Sequence, residues 1–182
     1  MNTITILAIS VILTGAAILS ITGFSVISSV VAQTTGDNAT VSGNMTAGVI
    51  TLNDARKIIS AAEKKATEIG QPQNIAVVDA GGNLVSHVRM DGAWIGSIDI
   101  SINKAFTSRA FDISTKDLAN QSQPGGQFFG INESNDGRIM IFAGGIPLIR
   151  NGQVVGAIGV SGGSGDQDHA VAEAGAAAFS RN

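Results

Sequence analysis

Apolar residues in this chain form one long run near the N-terminus and then a series of short amphipathic segments. Residues 4–32 carry no charge and are mostly apolar. Over 51–69 and 93–111, apolar residues recur at spacings of three and four, which predicts two helices. Shorter apolar runs between turn residues are typical of strands. The predicted strands cover 75–78, 84–90, 139–142, 147–150 and 154–160, and the remaining predicted helices begin near 115 and at 169.

Capping residues and apolar faces indicate how the predicted helices begin and which side they bury. Thr51 precedes the first helix and Asp54 follows three residues later, an arrangement typical of a helix N-terminus. Asp166 is predicted to cap the C-terminal helix. In the second helix Lys104 falls outside the apolar stripe. That stripe consists of Ile95, Ile98, Ile102, Ala105 and Phe106.

Two short turns indicate how the strands pair. Residues 79–83 (Asp-Ala-Gly-Gly-Asn) favour a turn between the first two strands, and Asn151-Gly152 favours a two-residue hairpin between the last two. Because tight hairpins join antiparallel strands, the predicted fold class is α+β: an antiparallel sheet of about five strands flanked by helices. The polar, Gly-rich segment 121–137 is predicted to be a long loop.

The N-terminal apolar run is predicted to be either a signal peptide or a retained transmembrane anchor, over residues 1–32. As a helix, residues 4–32 would measure about 43 Å, enough to cross a bilayer core of about 30 Å. The run ends in Val30-Val31-Ala32, a small-residue pattern suited to signal cleavage, yet no Lys or Arg precedes it. Both interpretations place the following domain, 51–180, outside the cytoplasm, on a flexible Gly/Ser/Thr tether at 33–50.

Composition excludes several chemistries. The 182 residues include no Cys, which rules out a thiolate nucleophile, an iron–sulfur cluster and a disulfide framework. With 11 Lys and Arg against 14 Asp and Glu, the net charge is −3, which argues against a nucleic-acid partner. The part of the chain after the tether has the size of one ordinary domain.

Five short motifs, in order along the chain, resemble a known family. It is the haem-binding family that includes the glycolate-operon G protein and the secreted haem-binding protein of streptomycetes. The resemblance implies a profilin-like fold, haem binding with haem degradation in some members, assembly into homo-oligomers, and in one secreted member a membrane sensor kinase as partner. The motifs are VDAGGNL at 78–84, RMDGA at 89–93, GGIPL at 144–148, VGAIGVSG at 155–162 and QDH at 167–169.

A haem site needs an apolar slot, cations for the two propionates and usually an axial ligand to the iron. His169, at the start of the C-terminal helix, is the predicted metal ligand, and its alternative role is a histidine packed on the preceding Gly-rich loop. His87 lies on a predicted polar strand face and is expected to be a solvent-side or interface residue. Met90 and Met140 complete the set of conventional ligand candidates.

Three cations are candidates for binding the ligand's carboxylates. Lys104 is either a solvated lysine or a cation at the ligand cleft, and Arg109 lies in the same helix. Arg89 either binds a propionate or pairs with Asp91 or Asp79 to hold the strand end. Each candidate therefore has a functional and a structural interpretation.

The sequence favours an extracytoplasmic haem-binding domain, with haem degradation or with redox or haem sensing as its further activity. Two alternatives remain. One is an enzyme acting on a small carboxylate metabolite through Lys104, Arg109 and the aspartates, which would need an anion-binding cleft. The other is a non-enzymatic accessory protein of a membrane sensor. The expected partners are haem, further copies of the chain and a membrane sensor protein.

Overall fold

One antiparallel sheet organises the part of the chain that the structure describes. The computed structural model describes residues 48–180. The sheet order is β2-β1-β4-β3, and each neighbouring pair of strands is antiparallel. The elements are α1 (Leu52–Glu68), β1 (Asn74–Asp79), β2 (Leu84–Arg89), α2 (Ser97–Phe111), α3 (Thr115–Gln121), β3 (Gly145–Arg150), β4 (Gln153–Ser161) and α4 (Gly165–Ser180), with 3-10 turns at Ile131–Glu133 and Asn135–Gly137.

The predicted α+β class is confirmed, but the strand predicted at 139–142 is wrong, and the described sheet has four strands. This segment packs on α2 instead of joining the sheet. The Met140 backbone N–H donates to Thr107 Oγ1 at 2.9 Å, and the Arg138 guanidinium stacks 3.7 Å from the centre of the Phe106 ring. Side chains of α2 thus satisfy backbone groups that a neighbouring strand would otherwise satisfy.

Helices α1 and α4 pack side by side on one face of the sheet and enclose the main hydrophobic core. The predicted cap of α1 is confirmed, because Thr51 and Asp54 form a reciprocal capping box. The predicted cap of α4 is wrong. Ser164 rather than Asp166 receives the Gln167 backbone N–H, at 3.3 Å, and the helix begins at Gly165, so Asp166 lies inside its first turn.

Helix α2 covers the opposite face of the sheet, and the side that it buries matches its predicted apolar stripe only in part. The side chains it buries are small or polar, including Ser101, Ala105 and Ser108, together with Lys104. Ile95, just before the helix, is 74% exposed. Of the predicted apolar stripe, Ala105 is buried and Ile102 packs beside it, whereas Ile95 is exposed, so the face prediction is only partly right.

Glycines in the sheet explain this orientation. The position of a Cβ on Gly159 would collide with the Ser101 carbonyl oxygen and with the backbone of Ala105, and a Cβ on Gly145 would meet the Lys104 carbonyl. The backbone of α2 therefore lies directly on the sheet at Gly145 and Gly159, and no large side chain fits between the two backbones at these contacts.

The predicted signal peptide or anchor, residues 1–32, and the predicted tether up to residue 47 lie outside the described residues. Within 48–180, no helix has both the length and the apolar character needed to cross a membrane. Ile50, which precedes the Thr51 cap, is 3% exposed and packs in the main core.

Candidate functional site

A cavity of about 400 Å³ opens to the surface where the start of α3, strand β3 and helix α4 meet. It contains one histidine, one lysine and two carboxylates, together with an apolar wall. It is called the His169 cavity, after its histidine. Its lining residues are Ser114, Lys116, Asp117, Ile146, His169, Glu173 and Ala176.

Two hydroxyl groups define the start of α3: one caps the helix and the other binds it to the sheet. Ser114 caps the helix by accepting the Asp117 backbone N–H at 3.0 Å, and its hydroxyl donates to Asp117 Oδ2 at 2.6 Å. The next residue, Thr115, is fully buried and accepts the Gly145 backbone N–H at 2.8 Å. These contacts give the α3 side of the cavity a defined position relative to β3.

His169 is the fifth residue of α4, and its side chain is 15% exposed. Its Nδ1 is buried and has no hydrogen-bond partner among the described residues. Its Nε2 lies 3.4 Å from Glu173 Oε1, one helical turn later. Of the two ring nitrogens, Nε2 is therefore the one in a position to meet a ligand, and its role as a metal ligand remains a prediction.

Lys104 is not the solvated lysine that one interpretation predicted, because it is fully buried, and it does not line the His169 cavity. Its ammonium donates to Asp168 Oδ2 at 2.6 Å and to the Val160 carbonyl at 2.9 Å, and it lies 4.6 Å from the centre of the Phe142 ring. Burial lowers the pKa of Lys104, although the Asp168 carboxylate acts in the opposite direction. Lys104 thus ties α2 to β4 and to α4.

The two predicted arginines also lie away from the His169 cavity. Arg89 is exposed at the end of β2 and makes no ion pair within residues 48–180, so neither pairing predicted for it forms there. Arg109 pairs with Asp112 at 2.6 Å and lines a separate cavity of about 150 Å³ beside the turn that contains Gly81. Lys104 and Arg109 do not converge on one cleft, so the geometry does not favour the carboxylate-enzyme alternative.

His87 lies on the edge strand β2 opposite Ala76, on the face of the sheet that α2 covers. It is half-buried rather than solvent-facing, and its Nε2 has no hydrogen-bond partner in the described part of the chain. Burial lowers the pKa of His87 below its ordinary value of 6.5.

This shift predicts a pH dependence of stability. As the pH falls through 6.5, the unfolded chain takes up a proton on His87 before the folded chain does, so the free energy of unfolding decreases. We expect His87→Gln to remove this contribution. Urea denaturation at about pH 7.5 and about pH 5.5 checks it: the wild type should lose more stability than the variant over that interval. Parallel losses in the two proteins would contradict the prediction.

Of the residues that line the cavity, the sequence indicated only His169 as a candidate for ligand binding. Glu173 lies four residues after His169, a spacing at which helical side chains meet, so the sequence did contain a signal for it. Lys116 and Ile146 reach the cavity from α3 and β3, and only the packing of those elements brings them there.

Comparisons with known proteins identify the family and the fold of this chain. A family model described as "Haem degrading protein HbpS-like" matches residues 50–177. A 15.0 kDa protein of the dhaT-dhaS intergenic region of Citrobacter freundii is 46% identical over 131 residues, 72% of this chain and 92% of that protein.

Two solved structures share the architecture. Klebsiella pneumoniae protein ORFY is 43% identical, with a TM-score of 0.72 over 74% of this chain and 92% of that one. The PduOC:heme complex is 32% identical, with a TM-score of 0.69 over 71% of this chain and 94% of that one. These matches confirm the resemblance that the five sequence motifs indicated. The chain belongs to the HbpS-like family of haem-degrading proteins.

Proposed function

We propose that this chain binds haem in the His169 cavity, with His169 Nε2 as the ligand to the iron. The observation that carries the proposal is an imidazole that lines a surface cavity, with its other nitrogen buried. Membership in the HbpS-like family supports it, as does the similarity to a protein whose structure is a haem complex.

The residues present fit a haem group in three respects. The cavity volume, about 400 Å³, lies within the usual range of ligand pockets, about 300–1,000 Å³. Ile146 and Ala176 supply apolar contact for the edge of a macrocycle. Because Nδ1 of His169 is buried, the ring can present Nε2, the nitrogen that a metal would bind. Bound haem would supply the iron centre for redox chemistry.

Ligand binding requires one rearrangement within the cavity. Nε2 of His169 lies 3.4 Å from Glu173 Oε1. An imidazole that ligates iron must present the lone pair of this nitrogen. The Glu173 side chain is 64% exposed and can turn into solvent. Glu173 would therefore have to turn away from Nε2 for a metal to bind there.

The proposal predicts that the two histidines differ. Hemin added to the purified chain should give a shifted, saturable Soret band. His169→Ala should abolish or shift that band, because it removes the nitrogen that lines the cavity, whereas His87→Ala should leave it unchanged. Visible absorption titration of the three proteins checks this, and circular dichroism shows that each variant is folded. Identical spectra for the wild type and His169→Ala would exclude His169 as the ligand.

The proposal also covers where the protein is located and what it does with bound haem. We infer an extracytoplasmic protein from the uncharged apolar segment 4–32 and the Gly/Ser/Thr-rich sequence that follows it. Haem degradation or haem sensing, alone or with a membrane sensor protein, would follow from binding. Cell fractionation tests the location, and loss of the Soret band after addition of a reductant in air tests degradation.

We further propose that copies of this chain assemble through the exposed apolar residues around the start of α2. Trp94 is 64% exposed and Ile95 is 74% exposed, and the apolar stripe of α2 lies only partly buried beside them. Contiguous exposed apolar surface of this kind marks interaction sites. Light scattering should give a multiple of the 18.5 kDa chain mass, and Ile95→Ser should reduce it. A mass of one chain for the wild type at micromolar concentration would contradict the proposal.

A further inference from the structure

Lys116 is the charged residue of the His169 cavity that has no partner. Within residues 48–180 it makes no ion pair and no hydrogen bond through its side chain. The other charged residues that line the cavity are engaged: Asp117 accepts the Ser114 hydroxyl at 2.6 Å, and Glu173 faces His169 at 3.4 Å. The ammonium of Lys116 is therefore available to a bound molecule.

The backbone that carries Lys116 has a defined position. Ser114 and Thr115 precede it, the first capping α3 and the second hydrogen-bonded to β3 through the Gly145 N–H. The side chain itself is exposed and can extend along the opening of the cavity. The Lys116 ammonium can therefore contact the solvent-facing edge of a bound ligand rather than the edge that lies inside the cavity.

The charges that line the cavity indicate that Lys116 binds an anionic group of the ligand. Its lining contains one cation, Lys116, and two carboxylates, Asp117 and Glu173. Without the lysine, this lining would carry only negative charge and would repel an anionic ligand. With it, an anionic group at the opening of the cavity has an ammonium with which to form an ion pair.

We propose that Lys116 binds a carboxylate of the ligand and thereby makes the site selective for tetrapyrroles with free propionates. The inference rests on the proposed haem function and assigns the ligand class for the same cavity. His169 holds the metal from one side of the cavity and Lys116 holds the acidic edge of the macrocycle at its opening. Esterified or alkyl-substituted tetrapyrroles keep the first contact and lose the second.

The experiment compares hemin with hemin dimethyl ester, whose propionates are neutral, in titrations followed by the Soret band. The wild type should bind hemin about 2- to 5-fold more tightly than the ester, the range expected for one exposed charge pair. Lys116→Gln should bring that ratio close to one, and Lys116→Arg should keep it. Lys57→Gln is the matched control, because Lys57 is exposed on α1, away from the cavity.

Two readouts separate this inference from the proposed function. If hemin and its dimethyl ester bind the wild type equally, or if Lys116→Gln keeps the wild-type ratio, the role of Lys116 is wrong while haem binding stands. If neither compound gives a shifted Soret band, haem binding itself is wrong. The preference for hemin should also weaken as the ionic strength rises, since salt screens an exposed charge pair. A preference independent of salt would contradict a charge contact.

Discussion

Replacing Lys104 with alanine is expected to lower the free energy of unfolding by about 3–5 kcal/mol, the usual cost of removing one partner of a buried ion pair. Both side chains of the pair are almost fully buried, at 0% and 3% exposure, with Nζ 2.6 Å from Asp168 Oδ2. The substitution leaves the Asp168 carboxylate in the interior without its countercharge, and it also leaves the Val160 carbonyl without its donor. Urea denaturation followed by circular dichroism measures the effect.

A double variant tests whether the unpaired charge is the cause. Lys104→Met with Asp168→Leu removes both charges and keeps most of the volume, and such replacements of buried pairs are often close to neutral. We expect it to recover most of the stability that Lys104→Ala loses. The remaining deficit comes from two backbone groups: the Val160 carbonyl, which loses its Lys104 donor, and the Gly163 N–H, which donates to Asp168 Oδ1 at 2.9 Å in the wild type. A double variant as unstable as the single one would show that packing, not charge, dominates.

The same pair bears on the proposed site, because Asp168 immediately precedes His169 in α4. Through Lys104 and the Gly163 N–H, the Asp168 carboxylate ties the beginning of this helix to α2 and to the loop after β4. Lys104→Ala should therefore weaken hemin binding as well, without any contact between Lys104 and the cavity. In the double variant, which regains stability, hemin affinity should also be higher than in Lys104→Ala.

Gly159→Ala is expected to cost about 3 kcal/mol or to prevent folding, at the upper end of what overpacking costs. A methyl group on Gly159 would collide with the Ser101 carbonyl oxygen and the Ala105 backbone. Those atoms belong to the backbone of α2 and cannot move aside as a flexible side chain would. The whole helix would have to lift from β4. Thermal and urea denaturation measure the loss.

Gly96→Ala is the matched control for this substitution. Gly96 precedes α2 with φ −62° and ψ −23°, a conformation open to any residue, and no atom lies within 4 Å of the Cβ position. We expect a change in stability of less than about 0.5 kcal/mol, as for most surface substitutions. Equal stability of Gly159→Ala and Gly96→Ala would contradict the close approach of α2 to the sheet.

The local features of this protein followed from the sequence because neighbouring residues produce them. The α1 pattern predicted the buried residues Ala55, Ile58 and Ala62, since one helical face repeats every three to four residues. Asn151 and Gly152 adopt positive φ values of 53° and 76°, as the hairpin between β3 and β4 requires, and these residue types tolerate that conformation. The five motifs, four of which contain glycine, were sufficient to identify the family.

Tertiary structure decided which face of α2 is buried and where the strongest charge pair lies. The apolar periodicity of α2 predicted its buried face from hydrophobicity alone, but where the α2 backbone contacts Gly145 and Gly159 no large side chain fits. Lys104 is buried there because Asp168 arrives from a helix 64 residues away in the chain to neutralise it. The positions of Lys104 and Asp168 in the sequence give no indication that the two residues form a pair.

The candidate site also contains both kinds of contact: some follow from the sequence, and others depend on the tertiary structure. His169 and Glu173 are one helical turn apart, so the helix alone brings them together. Lys116 and Ile146 join them because the Thr115 hydroxyl binds the Gly145 N–H and thereby sets α3 beside β3. The sequence by itself was sufficient to predict the helices, the hairpins, the family and the histidine that lines the cavity. The cavity around that histidine, and the lysine at its opening, depend on contacts between residues distant in the chain, which only the folded structure brings together.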